Sequence, residues 1–434
     1  MPTSLRGIAN KASSDKSHRF RNLFGLLTVA FLLSCWERLN KKAASGVDRV
    51  SAQAYAKELG ENVRRLWERV KRGSYRAKLV RRCDIPKEGG KTRPLGIPVV
   101  EDKLLQIAVS RILNAIYEPV FLPCSWAYRL GRNASEAVRT LTEKLQFGCY
   151  NYVVEVDIKG FFDKIDHDKL LQMLELRIDD RPFLRLIWKW LKAGVLEESG
   201  KVIHPDTGCP QGSSISPVLA NIYLHYVLDL WFQDEVEPRL ESRSLMCRYA
   251  DDIVFAFQRQ VDAERFFRVL PKRLAKYGLE LSAEKSRLVR FSRYLVGKKS
   301  EKFDFLGFEF RWVVDLKGTP RVTRRTSRKR LRASLARVTE WVKAQRHLSV
   351  RQQVEALNAR LRGHYTYYGV IGNGRSLMSY FEQVVRLLRK WLGRRSQKSR
   401  MTWAKLNALL KRFPLERPRI TERRHRQREL VFAG

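Results

Sequence analysis

"RYADDIVFAF", residues 248–257, sets two adjacent aspartates at the head of an apolar run. A run such as VFAF fits a buried β-strand. Two carboxylates side by side at its start repel each other, and burying them is costly unless positive charge accompanies them. A third aspartate, Asp157, ends another apolar run, "YVVEV", residues 152–156. Adjacent antiparallel strands would bring Asp157 to the Asp251–Asp252 pair. Three converging carboxylates offer the hard oxygen ligands that Mg²⁺ prefers, with water and substrate phosphate completing the shell. Two such ions, about 3.5–4 Å apart, stabilise both the attacking and the leaving oxygen of a phosphoryl displacement. Aspartate is also an ordinary turn residue. The combination of Tyr249, the apolar run, Asp157 and the charge balance favours the metal reading.

That balance is extreme. The 434 residues carry 85 Lys and Arg against 45 Asp and Glu, a net charge of +40. Such a surplus repels itself and calls for a polyanionic partner, nucleic acid before an anionic membrane surface. It is also uneven: residues 321–434 hold 30 Lys and Arg, 6 Glu and no Asp. An acid-bearing front part is followed by a basic rear part. Apolar content of 44% supports a core, and the length fits two or three domains.

The six cysteines, Cys35, Cys83, Cys124, Cys149, Cys209 and Cys247, show no CxxC spacing and no zinc-like offset from histidine. Neither structural zinc nor a disulfide framework is expected, and the usage fits a reduced cytosolic protein. "LFGLLTVAFLLSCW", residues 23–36, is too short to span a bilayer. Polar residues precede it and a polar helix end follows, so a buried helix is expected rather than a signal segment.

The remaining pattern mixes helices and strands. Residues 81–98 read as a hairpin turning at Gly89-Gly90, and residues 101–120 as a helix stopped at Pro119. Asp166 stands as the N-cap of a helix, and Pro217 in the first turn of another. Residues 303–314 read as a hairpin, and beyond residue 325 the pattern is helical. The fold class is α+β in front and all-α behind.

"IPKEGGKTRPLGIP", "VDIKGFF", "PQGSSISP", "YADD" and "FDFLGFEF" resemble a reverse transcriptase of the bacterial group II intron type, in the family's order and at its spacing from about residue 35 to 312. "LNARLRGHYTYYGVIGNGRSLMSYFEQVVRLLRKWL" resembles the thumb, or maturase-specific domain, of the same family. The resemblance implies a right-hand polymerase: an N-terminal helical extension of the fingers (1–60), fingers and palm (61–312), a helical thumb (313–405) and a basic tail (406–434).

By resemblance, Asp157, Asp251 and Asp252 match the catalytic metal ligands, joined by the backbone carbonyl of Ile158. Two Mg²⁺ ions are implied, with Mn²⁺ as a substitute. Lys87 and Arg93 match the finger cations over the incoming triphosphate, a point charge and a fork. Gln211 and Gly212 match the loop lining the nucleotide pocket, and Lys285 a cation near the primer end. Phe162 stands where the resembling polymerases test the sugar. A phenyl ring there offers no hydrogen bond to a 2′-OH and fills its space, which favours deoxynucleotides.

The rear part has a case of its own. "RRTSRKRLR", residues 324–332, and "RKWLGRRSQKSR", residues 389–400, read as Arg-rich helical stretches. Arg324, Arg325, Arg328 and Lys329 are expected to grip primer and template phosphates, and the aromatics of "HYTYYG", residues 364–369, to stack on unpaired bases. Residues 421–430 read as a mobile basic tail.

The chain also departs from the family pattern. "SWAYR", residues 125–129, stands where the family often has SYGFR, Ser213 where it has glycine, and Cys209 where Thr is commoner. No Cys/His-rich nuclease module follows the thumb, so no endonuclease of its own is expected. The expected function is RNA-directed DNA synthesis from dNTPs on a DNA primer, with intron RNA binding, splicing assistance and intron mobility, in the bacterial cytoplasm and at the nucleoid. The competing readings are an RNA-binding maturase with a silent polymerase, a domesticated reverse transcriptase in repair or phage defence, and a replicase that makes RNA.

Overall fold

The structure is a computed structural model, and it describes residues 4–86, 92–296, 301–395 and 401–422. The chain divides into two compact units. The first comprises Met1–Ala137 and Val156–Leu288, the second Val138–Glu155 and Val289–Gly434.

Eleven strands lie among the described residues, in three sheets. β1 (Val80–Pro86) and β2 (Thr92–Ile97) form the expected antiparallel hairpin, with Cys83 opposite Leu95. β4 (Val195–Leu196) joins β1 in parallel, and β5 (Val202–Ile203) closes that sheet in the order β2-β1-β4-β5. β3 (Tyr152–Asp157), β6 (Ser244–Tyr249), β7 (Asp252–Phe257) and β8 (Arg287–Arg290) form a sheet ordered β6-β7-β3-β8. The run VFAF is the interior of β7, and Ile253–Phe257 are all buried. β7 is therefore covered on both faces, which is why its sequence does not alternate. Its place next to β3 puts the Asp157 strand beside the Asp251–Asp252 strand.

The helix Val100–Tyr117 is buried on most of its surface and packs Leu104, Leu105, Ala108, Val109, Ile112, Leu113 and Ile116 into the core of the first unit. Residues 23–36 make a short 3₁₀ turn and the helix Val29–Trp36. Thr28 separates them, its side chain accepting from the Phe31 amide as N-cap. Leu23, Leu27, Leu32, Cys35 and Trp36 are buried, as expected of a core segment. Asp166 caps the helix His167–Glu175 by accepting from the Lys169 amide. No helix among the described residues is long and apolar enough to cross a membrane.

The second unit differs from expectation in several places. The pair β9 (Phe303–Phe305) and β10 (Phe308–Val314) gains a third strand, β11 (Pro320–Thr326), in the order β11-β10-β9. Residues 324–326 are thus strand, and the helix starts only at Arg328, capped by Ser327. A strand alternates its faces, so Arg324 turns inward. It is buried and makes a two-pronged ion pair with Glu422 at 3.0 and 2.9 Å. Arg324 is therefore not placed to grip phosphate. Arg325 is half-buried, while Arg328 and Lys329 are exposed.

The aromatics of residues 364–369 are largely core. Tyr365 is fully buried, and His364 stacks on Tyr380 with ring centroids 3.8 Å apart. Only Tyr367 reaches substantial exposure among the large apolar surface residues of that stretch. The helices Arg328–Ala344, Val350–Tyr368 and Gly374–Leu392 bury Val338, Val342, Leu357, Leu361, Leu377 and Leu388 together. Leu406, on the helix Trp403–Arg412, and Leu415 belong to the same core. The segment from 406 to 422 is accordingly packed structure rather than a free tail. Residues 423–434 of the expected tail and 396–400 of the second Arg-rich stretch lie outside the described residues. The expected boundaries after 60, 312 and 405 each fall inside a helix or strand, Leu59–Lys71, β10 and Trp403–Arg412.

Candidate active site

A cleft with about 310 Å³ of room opens in the first unit. Asp157, Ile158, Phe162, Gln211, Asp251 and Lys285 line it, with Thr92 and Pro94 from β2. Residues drawn from five distant parts of the sequence thus meet at one place.

Asp157 closes β3, and its backbone is held from two sides. Its amide donates to Ser286 Oγ at 3.1 Å, and its carbonyl accepts from the Ser282 amide at 2.8 Å. The "LSAEKS" segment that supplies both serines also supplies Lys285, whose Nζ reaches Asp157 Oδ2 at 2.8 Å. This is the positive charge that one of the carboxylates calls for. Next to it, Ile158 bridges to Leu281, and the Lys159 amide donates to the Glu280 carbonyl.

Asp251 stands in the turn between β6 and β7, and Asp252 is the first residue of β7, opposite Tyr249. The turn is built on Ala250 at φ 57°, a left-handed conformation that favours glycine. Asp251 faces the cleft, but Asp252 is not among its lining residues. Asp157 and Asp251 thus share the cleft, and Asp252 adjoins Asp251 in sequence at the head of β7. Among the described residues no three acidic, His or Cys side chains gather as a ready metal cluster. Two half-buried carboxylates and a nearby backbone carbonyl still suit Mg²⁺, which takes few protein ligands and keeps the rest for water and phosphate.

The pocket loop is fastened to its neighbours mainly by backbone. The Gly96 amide donates to the Gln211 carbonyl at 2.6 Å, tying the loop to β2. Gly212 sits at φ +105°, and a Cβ there would lie 2.8 Å from the Gly96 carbonyl oxygen. Cys209 is buried and its amide donates to the Phe162 carbonyl at 2.8 Å. Phe162 is itself 7% exposed, with its ring against Phe161 at 5.3 Å between centroids. Ser213, which replaces the family's glycine, is buried and donates its hydroxyl to Gln106 Oε1 at 2.8 Å. The substitution is therefore absorbed by a partner on the helix Val100–Tyr117.

Lys87 lies outside the described residues. Arg93 is part of β2, opposite Ile85. Ser282, Ser286, Gly96 and Gln106 escaped the sequence reading. Only the two serines carried a signal, their place beside Lys285. Gly96 and Gln106 act through partners far away in sequence.

Residues 85–310 match the family described as "Reverse transcriptase (RNA-dependent DNA polymerase)", and residues 331–409 that described as "Group II intron, maturase-specific domain". The Group II intron-encoded protein LtrA of Lactococcus lactis subsp. cremoris is 45% identical over 166 residues, 38% of this chain and 27% of that protein. Protein YkfC of Escherichia coli (strain K12) is 33% identical over 297 residues, 60% of this chain and 77% of that protein. The Uncharacterized 91 kDa protein in cob intron of Schizosaccharomyces pombe is 45% identical over 145 residues, 33% of this chain and 18% of that protein. The matched stretch thus spans about a quarter of the length of the Lactococcus protein.

Proposed function

The chain belongs to the reverse transcriptase (RNA-dependent DNA polymerase) family, and on that premise we propose that it copies RNA into DNA. The observation that carries this reading is the meeting of Asp157, Asp251, Phe162, Gln211 and Lys285 in one cleft. The substrates are a dNTP, a primer 3′ end and an RNA template. The primer 3′-OH attacks the α-phosphate, a P–O bond forms, and pyrophosphate leaves.

Asp157 and Asp251, with the Ile158 carbonyl and with Asp252 from the adjoining position, hold the divalent metal, two Mg²⁺ ions or Mn²⁺ in their stead. When bound, the metal neutralises phosphate charge and makes the 3′-OH a better nucleophile. Phe162 presents an apolar wall to the sugar and disfavours a 2′-OH. The Gln211–Gly212 backbone forms the floor under the nucleotide. By the resemblance of their motif, Lys87 and Arg93 bind the triphosphate, and Lys285 the primer end. Arg325, Arg328 and Lys329 contribute to the nucleic-acid grip of the second unit.

The maturase-specific match supports a second role on the same chain: binding of intron RNA, assistance to its splicing, and mobility of the intron. The site of action is the bacterial cytoplasm, with the nucleoid when DNA is the target.

Primer extension on poly(rA)/oligo(dT) with Mg²⁺ and dTTP tests the reading. Wild type extends, and Asp251→Ala loses about a thousandfold or more in rate, ~4 kcal/mol of transition-state stabilisation. Folded wild type that makes no DNA on this or any other RNA template would leave the RNA-binding maturase as the better account.

A further inference from the structure

Arg248 precedes the Tyr249–Asp252 turn and is fully buried. Its guanidinium is engaged on every side. Nε donates to Asp229 Oδ1 at 2.7 Å and Nη2 to Asp229 Oδ2 at 2.5 Å. Nη2 also donates to Ser125 Oγ at 2.8 Å, and Nη1 to Asn221 Oδ1 at 3.1 Å. Nη1 further points at the carbonyl oxygen of Ala250, 3.5 Å away.

The backbone around it is tied down as well. The Arg248 amide donates to the Cys124 carbonyl at 2.8 Å, and its carbonyl accepts from the Trp126 amide at 2.9 Å. Asn221 sends its amide nitrogen to the Ala127 carbonyl at 2.7 Å. Asp229 ends a π-helical turn, His225–Asp229, which changes the facing of side chains along an otherwise α-helical stretch. Two stretches distant in sequence, 124–127 and 221–229, thus converge on Arg248.

A buried ion pair is a poor stabiliser. Well-packed apolar residues in its place are often as stable or more so. What the pair supplies is direction, because a planar fork with fixed donors sets the angle of everything bonded to it. The group at the far end of this fork is the carbonyl of Ala250, whose left-handed φ of 57° needs outside support in a non-glycine residue. The next residue is Asp251.

We infer that Arg248 is a positioning residue for the metal-binding turn: clamped by Asp229, Asn221 and Ser125, it holds the Ala250 carbonyl and so sets the direction from which the Asp251 carboxylate enters the cleft. The inference rests on the proposed metal role of Asp157 and Asp251. It assigns the "SWAYR" segment a part in the site, through Ser125 and the backbone of Cys124, Trp126 and Ala127.

The experiment uses the full chain and Mn²⁺, followed by electron paramagnetic resonance titration without nucleic acid. The test variant is the pair Arg248→Met with Asp229→Leu, which removes both charges and keeps apolar bulk. It is expected to fold, with a melting profile like wild type, and to bind Mn²⁺ about tenfold more weakly, as is usual when an outer partner of a metal ligand is lost. In extension assays the Mg²⁺ requirement rises in step, more than the KM for dNTP. A folded double variant with wild-type Mn²⁺ affinity overturns the inference. If the double variant does not fold, Ser125→Ala decides, since it spares the ion pair: weakening by about threefold or more supports positioning, and unchanged affinity overturns it. Asp251→Ala separates the two levels. If Mn²⁺ binding survives in Asp251→Ala, the metal reading itself fails. If it is lost there but kept in the folded double variant, only the role of Arg248 fails.

Discussion

Lys285 Nζ lies 2.8 Å from Asp157 Oδ2, so the cleft brings its own cation to a carboxylate that the proposed metal uses. The lysine side chain is 57% exposed, and ion pairs of this kind contribute about 0–1 kcal/mol. Lys285→Met is therefore expected to tighten Mn²⁺ binding in the absence of nucleic acid, by no more than about fivefold. A paramagnetic titration reads this directly. Weaker binding in the variant would show that Lys285 supports the site instead of competing for it.

The two glycines where β2 meets the pocket loop make a second prediction. A Cβ on Gly212 would lie 2.8 Å from the Gly96 carbonyl oxygen, at a backbone φ that side chains rarely adopt. Gly212→Ala is expected to cost about 1–3 kcal/mol in urea unfolding. The KM for dNTP should rise while primer binding holds. Stability and KM both unchanged would mean that the loop has room that its geometry does not show.

Phe162 carries the sugar prediction. The ring is nearly buried yet lines the cleft. Phe162→Ala removes the wall and is expected to raise rNTP use relative to dNTP by about tenfold or more, since each factor of ten needs only about 1.4 kcal/mol of discrimination. Competition assays with matched rNTP and dNTP measure the ratio. An unchanged ratio would return Phe162 to a packing role.

Acid sensitivity should be traceable to His225. Its ring is fully buried with neither nitrogen hydrogen-bonded, and burial pushes its pKa down to about 4. The unfolded chain binds this proton near pH 6.5, the fold only near 4. Its share of stability is therefore complete above pH 6.5 and is lost progressively as pH falls toward 4. Asp102 works the other way: burial raises its carboxyl to about 6, so its share is present at low pH and is lost as pH rises through 6. Comparing wild type with His225→Phe isolates the histidine. Between pH 7.5 and 5 the variant should lose about 2 kcal/mol less stability in urea titrations. Parallel losses would place the acid sensitivity elsewhere.

The amino-acid sequence by itself determined the local elements of the site. The apolar run after Asp252 had to become a covered strand, Asp166 a helix cap, and residues 81–98 a hairpin, because periodicity and capping act over a few residues. Asp157 and Asp251 were legible for the same reason, since each ends or adjoins such an element; Phe162 and Gln211 were legible only through the resemblance of their motifs to a known family. The partners of charges were not. Arg324 reads in sequence like its neighbours Arg325 and Arg328, yet it is buried against Glu422, 98 residues away. Arg248 shows nothing in "RYADD" of Asp229, Asn221 or Ser125. Residues 364–369 look like a surface for stacking and form a core. Whether Asp252 joins Asp157 and Asp251 in the cleft likewise turns on which way a side chain leaves the turn. An exposed cation and a buried one have the same letter. Only the packing of distant segments decides which is desolvated, and a desolvated charge must find its counterpart there or be expelled.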